Sequence, residues 1–124
     1  QRFPSFQWHQ NGEGARVEGT ITTTAGKSYN VRAVVPAAFP FAHPMVFVVS
    51  QIKGRGKSLT EASHAMHTLS ADSDGHPQLC LYNDRNWNPA LTLQHVLVKA
   101  TVWLEAFEQH RGTGRPLKDF LTNV

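Results

Sequence analysis

The chain has a single cysteine, no apolar run longer than a few residues, and little charge of either sign. One cysteine excludes an internal disulfide and fits a reducing compartment, so the cytoplasm is the expected location. The short apolar runs exclude a membrane-spanning helix and the core of a signal peptide. Charged residues make up only 17% of the chain, whereas hydrophobic residues make up 40% and include three tryptophans and seven phenylalanines, which excludes a disordered polyelectrolyte. The formal net charge is +3, and the twelve Lys and Arg residues are scattered, so no basic stripe points to nucleic acid. A phosphate loop is also missing. "IKGRGKS" at 52–58 ends in Gly-Lys-Ser, but the position that would need the first glycine is Gln51, and the segment reads as a solvated, mobile loop. Nothing calls for a cofactor.

At 124 residues the chain is expected to form one domain, 1–124, around one core. It begins at Gln1 rather than methionine, which suggests a trimmed piece of something longer. Period-two alternation marks residues 15–24, with Val17, Gly19 and Ile21 on one side, and "SYNVRAVVP" from Ser28, with Tyr29, Val31, Ala33 and Val35 inward. Pro36 ends that strand because it has no amide for the ladder. "MVFVVS" at 45–50 is short and β-branched and reads as a third strand; "SFQWHQ" at 5–10 is left open. Residues 51–78 lack periodicity and read as a long loop, with one helical turn near "SLTEASHAM". Leu93, Val96, Leu97, Ala100, Trp103, Leu104 and Phe107 then recur at helical spacing, predicting a helix over 92–109 with Thr92 as its cap and "RGTGRP" as its end. "LKDFLTNV" at 117–124 reads as a last short helix. Strands followed by helices predict an α+β domain, an antiparallel meander with a long helix on one face.

The lone cysteine lies in "HPQLCLYNDRNWNPALT" at 76–92. If Leu79 and Leu81 both enter the core, alternation turns Cys80 outward. The usual fate of an isolated cysteine is the opposite, a small buried filler. A zinc reading competes, because His64, His67, His76 and Cys80 bring four nitrogen or sulfur donors within seventeen residues. A Cys-His hydrolase would need a histidine to take the thiol proton and a third group to orient it. The residues alone leave these readings open.

Taken together, "PAAFPFAHPMVFV" at 36–48 and "QLCLYNDRNWNPALTLQHVLVKATVWL" at 78–104 resemble the catalytic core of ubiquitin-conjugating enzymes. Pro36, Phe39-Pro40-Phe41, Pro44, Cys80-Leu81, Trp87 and Pro89-Ala90-Leu91 match that family's landmarks in order. The "LCLY" form is similar to the conjugating-enzyme domains of bacterial anti-phage (CBASS) operons, where they accompany cyclic-oligonucleotide synthases, or of bacterial ubiquitin-like modification systems. The resemblance implies a UBC-like fold and a catalytic Cys80 that accepts an acyl group as a thioester and passes it to an amine. The implied partners are a ubiquitin-like modifier or a nucleotidyltransferase C-terminus, an activating enzyme and a target protein, with no metal, nucleic acid or membrane.

His67 is the counterpart of the histidine in the family's His-Pro-Asn tripeptide, but Thr68 and Leu69 replace the proline and the asparagine, which leaves the oxyanion donor unassigned. No counterpart of the family's amino-terminal helix is found before residue 15, so it was either removed or is lacking in a minimal version. Because thioester exchange is nearly isoenergetic, the harder step is removing a proton from an acceptor lysine, whose ordinary pKa is about 10.4. Asp72, Asp74 and Asp84 are candidates for assisting it, against the simpler reading of a solvated turn. Tyr82 would gate the acceptor or merely cover the sheet. Two alternatives accompany this reading: a catalytically silent UBC-like binding module, and a His/Cys zinc-stabilised interaction domain.

Overall fold

Strand β1 (Gln7–Asn11) turns back into β2 (Gly14–Thr22), and β3 (Ser28–Val35) and β4 (Met45–Val48) continue the antiparallel meander. The structure, a computed structural model, describes residues 3–11, 14–50, 52, 59–82 and 85–121. Two short strands, β5 (Thr68–Leu69) and β6 (Gln78–Leu79), complete a six-stranded sheet in the order β1-β2-β3-β4-β6-β5. The register aligns Val17 with Ala33, Ala33 with Val46, Val46 with Leu79 and Leu79 with Thr68, so one row of side chains crosses the sheet on its core face. The inward alternation of Tyr29, Val31, Ala33 and Val35 is observed.

Helix α1 (Leu93–Thr113) lies on this face and buries Val96, Leu97, Ala100, Trp103, Leu104, Ala106 and Phe107. Thr92 caps it, its hydroxyl accepting the His95 N–H at 3.1 Å. The helix runs four residues beyond the expected 109, through Gly112, and stops only where Gly114 adopts φ 78° and returns its N–H to the His110 carbonyl. Glu105 and Glu108 hold the β2–β3 turn against it: Glu108 accepts from the Thr23 hydroxyl at 2.9 Å and the Tyr29 hydroxyl at 2.7 Å, and Glu105 from the Thr24 N–H at 2.9 Å.

The α+β class is observed, with several local departures. "SFQWHQ" resolves into the paired strand β1, and β4 ends at Val48. The helical turn expected near 58–66 is instead a hairpin, Ser63 and Thr68 exchanging backbone hydrogen bonds at 3.0 Å around the turn 64–67. The last segment forms only a 3-10 turn, Leu117–Asp119, with Leu117 buried; residues 122–124 lie outside the described residues, as do 53–58 of the basic segment. Among the described residues no helix is long and apolar enough to cross a membrane.

Gly19 sits under the Phe6 side chain: a Cβ there would lie 2.6 Å from two ring carbons and 2.7 Å from the Phe6 Cα. Because a backbone atom is involved, rotating the ring does not relieve the clash. Gly19→Ala is therefore expected to destabilise the fold by about 1–3 kcal/mol, read as a lower urea midpoint. An unchanged midpoint would mean that the segment before β1 yields freely.

Candidate functional site

Pairing of β5 with β6 sets the site. With Thr68 opposite Leu79, the next pair along the ladder is His67 and Cys80, and the Cys80 N–H donates to the His67 carbonyl at 2.8 Å. Leu79 and Leu81 are buried, and Cys80 between them is half-buried. The outward turn that alternation implies is thus observed, one residue past the end of β6.

Cys80 lines an open cleft of about 1050 Å³. One wall is the 62–69 segment with His64 and His67, the floor is Cys80 to Tyr82, and the opposite wall is the α1 face bearing Lys99, Val102 and Trp103, at helical i, i+3, i+4 spacing. The walls are tied together. Trp103, 1% exposed, donates its indole N–H to the Met66 carbonyl at 3.0 Å, which fixes the turn whose last residue, His67, holds Cys80. His67 adopts φ 51°, a left-handed conformation that histidine tolerates better than most residues.

Tyr82 is 6% exposed, so it covers the core while its ring edges the cleft. It meets Trp87 edge to face at 4.9 Å, and Trp87 donates its indole N–H to the Pro40 carbonyl at 2.7 Å, which draws the Phe39-Pro40 turn to the site. Burial pushes the Tyr82 phenol up to about 12, and its hydroxyl has no partner among the described residues. Lys99 Nζ lies 4.3 Å from the centre of the same ring.

Of the expected site residues, Cys80, His67 and Tyr82 therefore meet in one cleft. Asp72 and Asp74 are not among its lining residues. Asp72 closes its own turn, accepting the N–H of Asp74 at 3.0 Å and of His76 at 2.9 Å on one oxygen, and meeting His76 Nδ1 at 2.9 Å with the other. Burial alone would raise its carboxyl, but the His76 and Asp74 hydrogen bonds outweigh it and hold it below the usual value. Asp74 is exposed, and Asp84 lies outside the described residues.

The four-donor zinc set does not converge. His76 is taken up by Asp72, whereas His64 and His67 stack on each other at 6.0 Å. Among the described residues, the His, Cys, Asp and Glu group with all ligand atoms within 4.8 Å of one another is Asp72, Asp74 and His76, whose hydrogen bonds already account for their proximity. Sequence reasoning named His64 only as a zinc donor and did not single out Asn86 or Lys99, all three of which line the cleft. For Lys99 the available signal was its place three residues after Val96 and four before Trp103, beside the apolar stripe.

Burial draws the His67 pKa below its ordinary 6.5, and the neighbouring His64 adds to the effect. The imidazole is thus neutral at pH 7 and able to receive a proton. The folded protein binds this proton less readily than the unfolded chain, so the linked stability is present above about 6.5 and is lost as pH falls below it. Wild type is expected to lose melting temperature more steeply between pH 7 and 5 than His67→Asn, in which asparagine keeps the left-handed backbone and does not titrate. Parallel melting curves would contradict this.

The protein-family model E2-CBASS, described as Type II CBASS E2 protein, matches residues 1–118. No curated protein and no solved structure matches the chain.

Proposed function

Since the chain belongs to the family of type II CBASS E2 proteins, we propose that it is a conjugating enzyme of anti-phage defence that carries an acyl group as a thioester on Cys80. The observation that carries this reading is the placement of Cys80: the one thiol of the chain stands in an open cleft, held by its own backbone N–H to His67, while both flanking leucines are buried. An inert filler would have its sulfur in the core. The meander and long helix support a UBC-like arrangement in a single domain, and the lone cysteine fits action in the cytoplasm.

In the first step the Cys80 thiolate attacks the carbonyl carbon of an activated C-terminus, that of a ubiquitin-like modifier or of a nucleotidyltransferase, presented by an activating enzyme. A carbon–sulfur bond forms and the donor thiolate leaves, so one thioester replaces another at little net cost. In the second step an amine of the target attacks the same carbon. The carbon–nitrogen bond forms, the sulfur leaves as thiolate, and the amine's proton passes to a base. His67, neutral and within the cleft, is suited to take it; Asp72 and Asp74 are occupied or outside the cleft lining. The test is the appearance of a covalent adduct on the purified chain, given an activated C-terminus, that thiol reductant removes. If the modifier binds without ever becoming covalently attached, the fold serves as a silent binding module.

A further inference from the structure

Resting on the carrier reading of Cys80, we infer that Lys99 is a catalytic residue that stabilises the oxyanion of the tetrahedral adduct formed at the Cys80 sulfur. When Sγ attacks a thioester carbonyl, the carbon–sulfur bond forms and the π pair moves onto oxygen. Collapse returns that pair and expels the donor thiolate, so a thiolate enters and a thiolate leaves. The charge on oxygen exists only in between, and a donor aimed at it accelerates the step directly.

Ser63, His64, His67, Thr68 and Asn86 line the cleft and carry polar groups. The ammonium groups among its lining residues, however, are those of Lys99 and Lys118, and a full positive charge answers a full negative one most strongly. Leu69 has no donor, and the Trp103 indole N–H is spent on the Met66 carbonyl. The Tyr82 hydroxyl is sealed away from solvent. Lys118 is exposed, where water screens its charge. Lys99 differs on each count. It is half-buried on a rigid helix, one turn before Trp103, and its ammonium rests on the face of the Tyr82 ring. No carboxylate lines the cleft among the described residues, and none of the described ion pairs includes Lys99. Burial draws the Lys99 amine downward in pKa, while the nearby Cys80 charge resists that shift. The ring face favours the charged form as well. A cation held in partly desolvated surroundings, with no acidic partner among the described ion pairs and lining the same cleft as the attacking sulfur, is placed to meet a transient anion.

The experiment compares two reactions of Cys80 in the whole chain: acyl transfer from a short peptide α-thioester of mercaptoethanesulfonate, and alkylation by iodoacetamide. Alkylation displaces iodide at a saturated carbon and forms no oxyanion. Lys99→Met is expected to slow acyl transfer at saturating thioester by about 10²-fold while alkylation stays within a few-fold of wild type, and Lys99→Arg is expected to recover part of the loss. Equal rates of acyl transfer in wild type and Lys99→Met would overturn the inference and leave the carrier reading intact. A parallel fall in both reactions would overturn it too, since Lys99 would then act on the thiol or on the fold; Lys99→Arg with a normal melting curve separates those two causes. Mass spectrometry finding the acyl group as an amide on Lys99 would also overturn it, making the lysine an acceptor. Wild-type Cys80 that alkylates readily but never takes the acyl group would end the carrier reading, and this inference with it.

Discussion

Cys80→Ala is expected to abolish the reductant-sensitive adduct completely, because the chain has no second thiol to substitute for it. The loss should exceed any effect of a neighbouring residue, since it removes the bond-forming atom rather than a group that assists it. Cys80→Ser keeps an oxygen nucleophile in the same place and should give a slower adduct that resists thiol reductant, an oxyester. Cys80→Lys should trap the acyl group as an amide. Cys80 is half-buried and its side chain lies in an open cleft, so none of these changes should unfold the protein, and circular dichroism should show it. Gel analysis with and without reductant separates the outcomes. An adduct that persists unchanged in Cys80→Ala would place the chemistry at another residue, and tight modifier binding without any adduct in wild type would leave a scaffold that kept its shape and lost its reaction.

The second large effect lies one shell away. Trp103→Ala is expected to cost about 3–5 kcal/mol, a large share of the roughly 5–15 kcal/mol that holds a domain together. The side chain is 1% exposed, stacks on Phe107 with centroids 5.1 Å apart, and bridges the helix to the Met66 carbonyl. Trp103→Phe isolates the bridge. It keeps most of the burial but loses the N–H, for a stability cost of about 1 kcal/mol. Its effect on Cys80 should be larger than that figure suggests, because the Met66 carbonyl anchors the turn from which His67 holds the Cys80 backbone. Iodoacetamide labelling of Cys80 and hydrogen exchange of the 63–68 hairpin should both change in Trp103→Phe at a temperature where it remains folded. If melting falls while labelling and exchange stay at wild-type values, the indole supports the core only and has no part in positioning the site.

The resemblance was carried by residues far apart in sequence, and the structure shows several of them meeting. Trp87 binds the Pro40 carbonyl and lies 6.3 Å from Phe39, so the aromatic-Pro-Phe turn and the tryptophan after the cysteine belong to one wall. Tyr82 packs against Trp87 and in turn supports Lys99. A reading of each motif by itself assigns Tyr82 to gating or cover; the contacts make it the platform between two walls.

The elements legible in the sequence are those long enough to repeat a period. Tyr29, Val31, Ala33 and Val35 alternate over eight residues, and the apolar stripe of α1 recurs over four turns, because burying one face requires apolar side chains at the spacing of that face. Cys80 was legible for the same reason at the smallest scale, as the residue between two leucines that both belong to the core. Strands β5 and β6 span two residues each, too short to show a period, and they exist because Thr68 and Leu79 extend the row begun by Val17, Ala33 and Val46. That pairing alone sets His67 opposite Cys80. Asp72 stands eight positions before the cysteine yet is drawn into a hydrogen-bonded turn with His76, while Lys99 stands nineteen positions after it and shares its cleft. Sequence patterns report which side of an element seeks the core. Which polar groups then face one another depends on register and on how helix and sheet are stacked, and those follow from the packing of the whole chain.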